Sequence, residues 1–142
     1  MRVVLDTNVI VSGTFWSGPS FKIISLVDQE IISMVVSYSI LQEYNKIIHS
    51  EEILDKTSKD QQARINAMLK VINKSILVDP KEKVNIIKDD PDDNKFIEAA
   101  IEGKANFIIS QDKHLLSIKK FQNITILSPQ EFLTLLHNLV NN

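Results

Sequence analysis

Short apolar runs alternate along the chain with longer stretches in which apolar residues recur every three or four positions. The runs "RVVL" (2–5), "SMVV" (33–36), "SILV" (75–78), "NFII" (106–109) and "ITIL" (124–127) are brief and β-branched, as strands buried on both faces should be. Between them lie helical stretches. Residues 19–30 begin at Pro19, 38–50 follow the N-cap candidate Ser37, and 58–73 carry Ile65, Met68, Leu69 and Ile72 on one stripe. Residues 92–103 open with acids and end at Gly103, and 129–140 follow Ser128. These starts and stops are the usual helix signals. Strand and helix in alternation predict βαβ units: an α/β three-layer sandwich with a central parallel sheet of about five strands flanked by helices. At 142 residues, one domain spanning 1–142 is expected.

Open parallel sheets bind ligands just beyond the carboxyl ends of their strands, so the residues that follow each run matter most. Asp6 follows "RVVL" directly, and Asp112 follows "NFIIS" with one residue between. In parallel strands both carboxylates leave the sheet at the same edge. Adjacent strands lie ~4.8 Å apart, close enough for the two acids to share one ion. The alternative for each acid alone is a helix cap or turn. Thr7, beside Asp6, is expected to bond local backbone.

Two further acids are placed by helical phase. In "SILQEYNKI", Ile40, Leu41, Tyr44, Ile47 and Ile48 form one apolar arc, and Glu43 lies about 40° from it, at the border of the buried face. There it can lean into a cleft, or it can pair with Lys46 or Lys95 as an ordinary surface acid. "KDDPDDNKF" offers Asp89, Asp90, Asp92 and Asp93. Some of them can simply complement a helix dipole. Phe96, Ile97 and Ala100 define an inward arc that includes Asp93, with Asp92 at its edge and Asp90 in the preceding loop. Asp93 is the preferred functional acid and Asp92 an auxiliary, although the crowding leaves the choice open by one residue.

Composition narrows the chemistry. Net charge is −2 and hydrophobic residues make up 44%, an ordinary globular balance and a poor match to a module that grips nucleic acid by charge alone. There is no cysteine, which excludes disulfides, zinc–thiolate centres and thiol catalysis. Clustered carboxylates repel one another and must take up protons or a cation. With the three histidines scattered, the donors are oxygens, which suit Mg²⁺ or Mn²⁺. Two such ions ~3.5–4 Å apart form a common device for phosphodiester cleavage. No run approaches the ~18–20 apolar residues of a membrane span, and one Arg with three apolar residues before Asp6 is not a signal-peptide pattern. A cytoplasmic protein without membrane attachment is expected.

The ordered set "VVLDTNVIVS", Glu43 in "SILQEY", "DPDDNKFIEAA" and "FIISQDKHLL" resembles the PIN domain family of metal-dependent ribonucleases, and more closely its branch of toxins from toxin–antitoxin pairs. The likeness runs over most of the chain. It implies a cleft in which Asp6, Glu43, Asp93 and Asp112 are the catalytic metal ligands for one or two Mg²⁺ or Mn²⁺ ions. Asn8 and Ser110 match positions that orient ligands or the attacking water. The implied activity is endonucleolytic cleavage of single-stranded RNA. The implied partner is a small antitoxin that inserts into the cleft, and toxin members often form homodimers. "SGTFWSGPS" is longer than in the smallest members, and Gln111 stands where Gly is frequent.

Lys113, Lys119 and Lys120 beyond Asp112 are candidates for holding RNA backbone, with an ordinary solvated face as the alternative. Trp16 and Phe15, read as part of a Gly/Ser-bordered loop near the cleft, are candidates for stacking on a base or for core or dimer packing. Other functions fit less well. A haloacid-dehalogenase-type phosphotransferase needs a second Asp where Asn8 stands, and a response-regulator receiver needs paired acids early. An inactive PIN-like module, which binds RNA or a partner without cutting, conflicts with the presence of all four acids. A PIN nuclease of RNA processing, outside any toxin–antitoxin pair, has the same four acids.

Overall fold

The computed structural model describes residues 1–56 and 60–141. The strands are β1 (Arg2–Leu5), β2 (Ser33–Ser37), β3 (Ile76–Val78), β4 (Phe107–Ile109), β5 (Lys120–Phe121) and β6 (Ile124–Leu127). The helices are α1 (Thr7–Phe15), α2 (Pro19–Asp28), α3 (Tyr38–Ile48), α4 (Glu51–Lys56), α5 (Gln61–Asn73), α6 (Asn94–Glu102), α7 (Lys113–Leu116) and α8 (Pro129–Val140), with a 3-10 turn at Pro91–Asp93. The sheet order is β3-β2-β1-β4-β6-β5. All pairings are parallel except β5 with β6. The fold is therefore α/β with a mostly parallel central sheet flanked by helices, of six strands rather than five.

The sixth strand escapes periodicity because it is two residues long. It folds back on β6 through Gln122, whose φ of 53° lies in the left-handed region. α1 was also hidden. Its β-branched "TNVIVSGTF" has weak helix propensity, and seven of its nine residues are buried, so its polar face is only Asn8 and Ser12. Its neighbour α2 approaches so closely that a Cβ on Gly13 would meet Ile24 at 2.6 Å. Phe15, read above as part of a loop, belongs to α1 and is 6% exposed. The expected helix over 58–73 starts at Gln61, and its residues 58–59 lie outside the described residues.

Strand order sets the place of the site. From β1 the chain moves outward to β2 and β3, then returns to lay β4 on the other side of β1 and continues to β6. The order reverses between β1 and β4, where a crevice opens beyond the strand ends. Leu5 pairs with Ile109 and Ile109 with Leu127. The backbone N–H of Asp6 donates to Ile109 O at 2.9 Å, and that of Ser110 to Leu127 O at 2.9 Å. Both residues thus continue the ladder one step past the strands.

A second device secures the acidic loop. α6 presents Asn94, Glu98 and Glu102, four residues apart on one face, to the irregular segment 81–87. Lys81 N donates to Glu102 Oε1 at 2.9 Å, Val84 N to Glu98 Oε2 at 3.0 Å, and Ile86 N and Ile87 N to Asn94 Oδ1 at 3.1 and 2.9 Å. Side-chain oxygens take the place of a neighbouring strand's carbonyls. Asn94, 4% exposed, also donates to Ile87 O and Pro91 O, each at 2.9 Å. One buried amide therefore fixes both ends of the loop that carries Asp89 and Asp90.

Candidate metal centre

Asp6 is 5% exposed and divides its oxygens between two duties. Oδ1 caps α1 by accepting from Asn8 N at 3.4 Å, and Oδ2 accepts from Ser110 Oγ at 2.6 Å. The fully buried Ser110 hydroxyl in turn accepts from Asp112 N at 2.9 Å. One hydroxyl thus ties the ends of β1 and β4 together. Asp112 caps α7 through Oδ1, which accepts from His114 N at 2.7 Å. Capping and site-building are not alternatives for these acids: each has two oxygens and uses one to cap.

Asp90, Asp93 and Asp112 each bring one carboxylate oxygen to a place where all three lie within 4.8 Å of one another. Asp93 Oδ2 is buried and has no hydrogen-bond partner. A buried carboxylate oxygen left bare is costly, and a cation among three carboxylates would satisfy it. Burial, then the charges of Asp90, Asp112, Asp6 and Glu43, push the Asp93 carboxyl up to about 7. Burial also raises Asp6, against the lowering effect of its bonds from Ser110 and Asn8. The donor set, all oxygen and mutually repelling, fits a hard divalent cation.

Glu43 belongs to the same field but turns elsewhere. Its Oε2 accepts from Lys95 Nζ at 2.7 Å, and the same ammonium reaches Asp92 Oδ2 at 2.6 Å. The pairing with Lys95 named above as the alternative for Glu43 is therefore the one present. Burial lowers the Lys95 ammonium, but its bonds to Asp92 and Glu43 outweigh this and hold it above its ordinary value. The bond from Lys95 likewise holds the Asp92 carboxyl low. Asp92, whose side chain is 70% exposed, is not among the three acids whose oxygens converge.

Helical phase puts Asp90 in the loop before the helix, yet its carboxylate joins the three-acid group. Helical phase could not find it, because it precedes the 3-10 turn and is carried in by the Asn94 clasp. The expected backbone bond of Thr7 is absent: its hydroxyl is buried and unpartnered, since Asp6 already caps the helix. Asn8 is exposed and meets Asp6 through its backbone. Trp16 sits at the far end of α1 from Asp6, roughly 14 Å away along a nine-residue helix. It is 41% exposed, edge-on to Phe15. Lys113 is exposed at the start of α7 beside Asp112. Lys120 pairs with Thr125, level with Val3 and Phe107 at the beginnings of the strands, and Lys119 precedes it. Both lie away from the carboxyl edge.

The PIN domain family model matches residues 2–114, and the chain belongs to that family. It is 33% identical over 146 residues to the uncharacterized protein MJ1680 of Methanocaldococcus jannaschii, covering 94% of this chain and 90% of that one. Its fold is also similar to the crystal structure of VapBC2 from Rickettsia felis bound to a DNA fragment from their promoter. The TM-score is 0.58 at 14% identity, over 89% of this chain and 97% of that one. Among the described residues, no helix is long and apolar enough to cross a membrane.

Proposed function

We propose that the protein is a metal-dependent endoribonuclease that hydrolyses single-stranded RNA, acting as the toxin of a toxin–antitoxin pair. Two observations on one residue carry the reading: Asp93 has a buried oxygen without a partner, and its carboxylate converges with those of Asp90 and Asp112 beside the point where strand order reverses. Membership of the PIN family supports it, as do the motif resemblance to the toxin branch and the fold likeness to VapBC2.

Asp90, Asp93 and Asp112 would hold Mg²⁺ or Mn²⁺, with Asp6 and Glu43 flanking. A bound ion of this kind supplies charge neutralisation at a phosphate and lowers the pKa of a water. The chain's own contribution is placement. Ser110 keeps the Asp6 carboxylate aimed and joins it to Asp112, so the two strand ends cannot drift apart. The Asn94 clasp sets Asp90 and Asp93 against them. Lys113, exposed beside Asp112, would be the lysine of the three to meet RNA backbone. A small antitoxin protein covering this acidic edge is the partner we infer.

The test is cleavage of end-labelled single-stranded RNA in Mn²⁺, Mg²⁺ or EDTA by wild type, Asp6→Asn and Asp93→Asn. The reading expects metal-dependent cutting that both folded variants lose. Equal cutting by all three, or no cutting together with no Mn²⁺ binding, would sink it.

A further inference from the structure

Among the described residues, Lys95 is the most withdrawn of the lysines that form ion pairs. Its side chain is 10% exposed, whereas the other lysines in ion pairs are 42–87% exposed. Its ammonium lies 2.7 Å from Glu43 and 2.6 Å from Asp92. A positive centre between two carboxylate oxygens at that spacing occupies the position a cation would otherwise take. Its consequence is visible in the acids. Glu43 interacts electrostatically with both Asp6 and Asp93, yet it is not in the group whose oxygens converge. Three acids are left to share a cation, while the fourth is neutralised from within the chain.

We propose that the Lys95 ammonium is a resident competitor for a second divalent cation. At rest it keeps Glu43 occupied, so the free protein takes one ion at Asp90, Asp93 and Asp112. Glu43 becomes available when a phosphate of the nucleic acid chain accepts the ammonium in its place. The exchange costs little in charge terms, because one anionic partner replaces another while the ammonium keeps its stem and its contact with Asp92. The inference rests on the nuclease reading, since it assigns the order in which that site fills. Lys95 is on this account a positioning residue, acting through Glu43.

The test is Mn²⁺ titration by calorimetry, with thermal unfolding alongside, on the full chain without nucleic acid. Wild type should bind one ion tightly and a second only weakly. Lys95→Met should bind a second ion at least about tenfold more tightly than wild type does, because a competing charge at a partly buried carboxylate is gone. Its metal-free form should melt lower, and Mn²⁺ should raise its melting temperature more than that of wild type. Lys95→Arg should behave as wild type. If Lys95→Met fails to fold without metal, Lys95→Met/Glu43→Gln removes the stranded acid as well, and it should fold and bind one ion. Adding a decamer of oligodeoxyuridine should give wild type a second ion that Glu43→Gln does not gain. Equal stoichiometry and affinity in wild type and Lys95→Met would overturn the inference, as would no second ion with the oligonucleotide. If wild type nonetheless binds Mn²⁺ and cuts RNA, the nuclease reading survives that failure. Wild type that binds no Mn²⁺ removes both.

Discussion

Asp6 and Asp93 are both acids withdrawn from water at one edge of one sheet, and the protein treats them oppositely. Asp6 sits on the β1–β4 ladder, with one oxygen capping α1 and the other bonded to Ser110. Asp93 sits in a 3-10 turn with one oxygen bonded to nothing. The first is satisfied by the chain. The second is set in place by the chain and left in need of a partner. A site that holds a cation requires both: a rigid edge that does not depend on the ion, and a residual charge that does.

The comparison is broken most severely at Asn94. Asn94→Ala deletes the clasp on the acidic loop and strands the buried N–H and C=O of Ile87. We expect a loss on the order of 3 kcal/mol or more in urea unfolding, with loss of Mn²⁺ binding. Ser110→Ala should cost less, about 1–2 kcal/mol, by stranding Asp6 Oδ2 and Asp112 N. The same measurement reads it, and a loss below ~0.5 kcal/mol would show that the strand ends do not need the hydroxyl.

Asp93→Asn sharpens the contrast because its sign is reversed. Removing the unpaired charge should stabilise the metal-free protein at pH 8 by about 1 kcal/mol, or roughly 3 °C. The figure is kept small because Asp93 is only partly buried and water screens its charge. Asp6→Asn should not stabilise to that degree, because the bonds from Ser110 and Asn8 already serve the charged form.

The pH dependence follows the same logic. The Asp93 carboxyl is raised to about 7 in the fold, above its ordinary value near 4 when unfolded. The folded chain therefore binds the extra proton, and its stabilising effect is fully present below pH ~4 and is lost as pH rises through about 7. Melting curves of metal-free wild type should fall across that window, and saturating Mn²⁺ should flatten the fall. The smallest effect expected is at Lys119 and Lys120, which lie at the wrong end of the strands. Replacing both with Ala should change RNA cleavage less than about twofold, whereas Lys113→Ala should weaken binding more, with a reduced salt dependence.

The rigid half of the site was legible in the sequence and the charged half only partly. A β-branched run ending in Asp6, and a second ending two residues before Asp112, specify parallel strands and a shared edge through patterning alone. Adjacent placement then follows from sheet topology. Helical phase, carried back one turn from Phe96 and Ile97, points to Asp93, which is in the converging acid group. It does not point to Asp90, whose position depends on four hydrogen bonds of one Asn side chain seven residues past Ile87. Nor does any periodicity reveal that Asn94, Glu98 and Glu102 replace a strand. Lys95 appeared only as one of two alternative partners for Glu43, because an ion pair between distant elements leaves no local pattern. α1 escapes the pattern because a helix with seven of its nine residues buried has almost no polar stripe, and its first turn follows Asp6 directly.

On the proposed reading, Asp93 holds a divalent cation together with Asp90 and Asp112. Calorimetric titration of Mn²⁺ into wild type and Asp93→Asn at pH 6, in two buffers of different ionisation enthalpy, tests it most directly. The account predicts binding by wild type with release of close to one proton per ion, since a carboxyl with a pKa of about 7 must give up its proton to become a ligand. It predicts that Asp93→Asn loses both the tight binding and the proton. Unchanged binding in Asp93→Asn, or binding by wild type with no proton released, would contradict it.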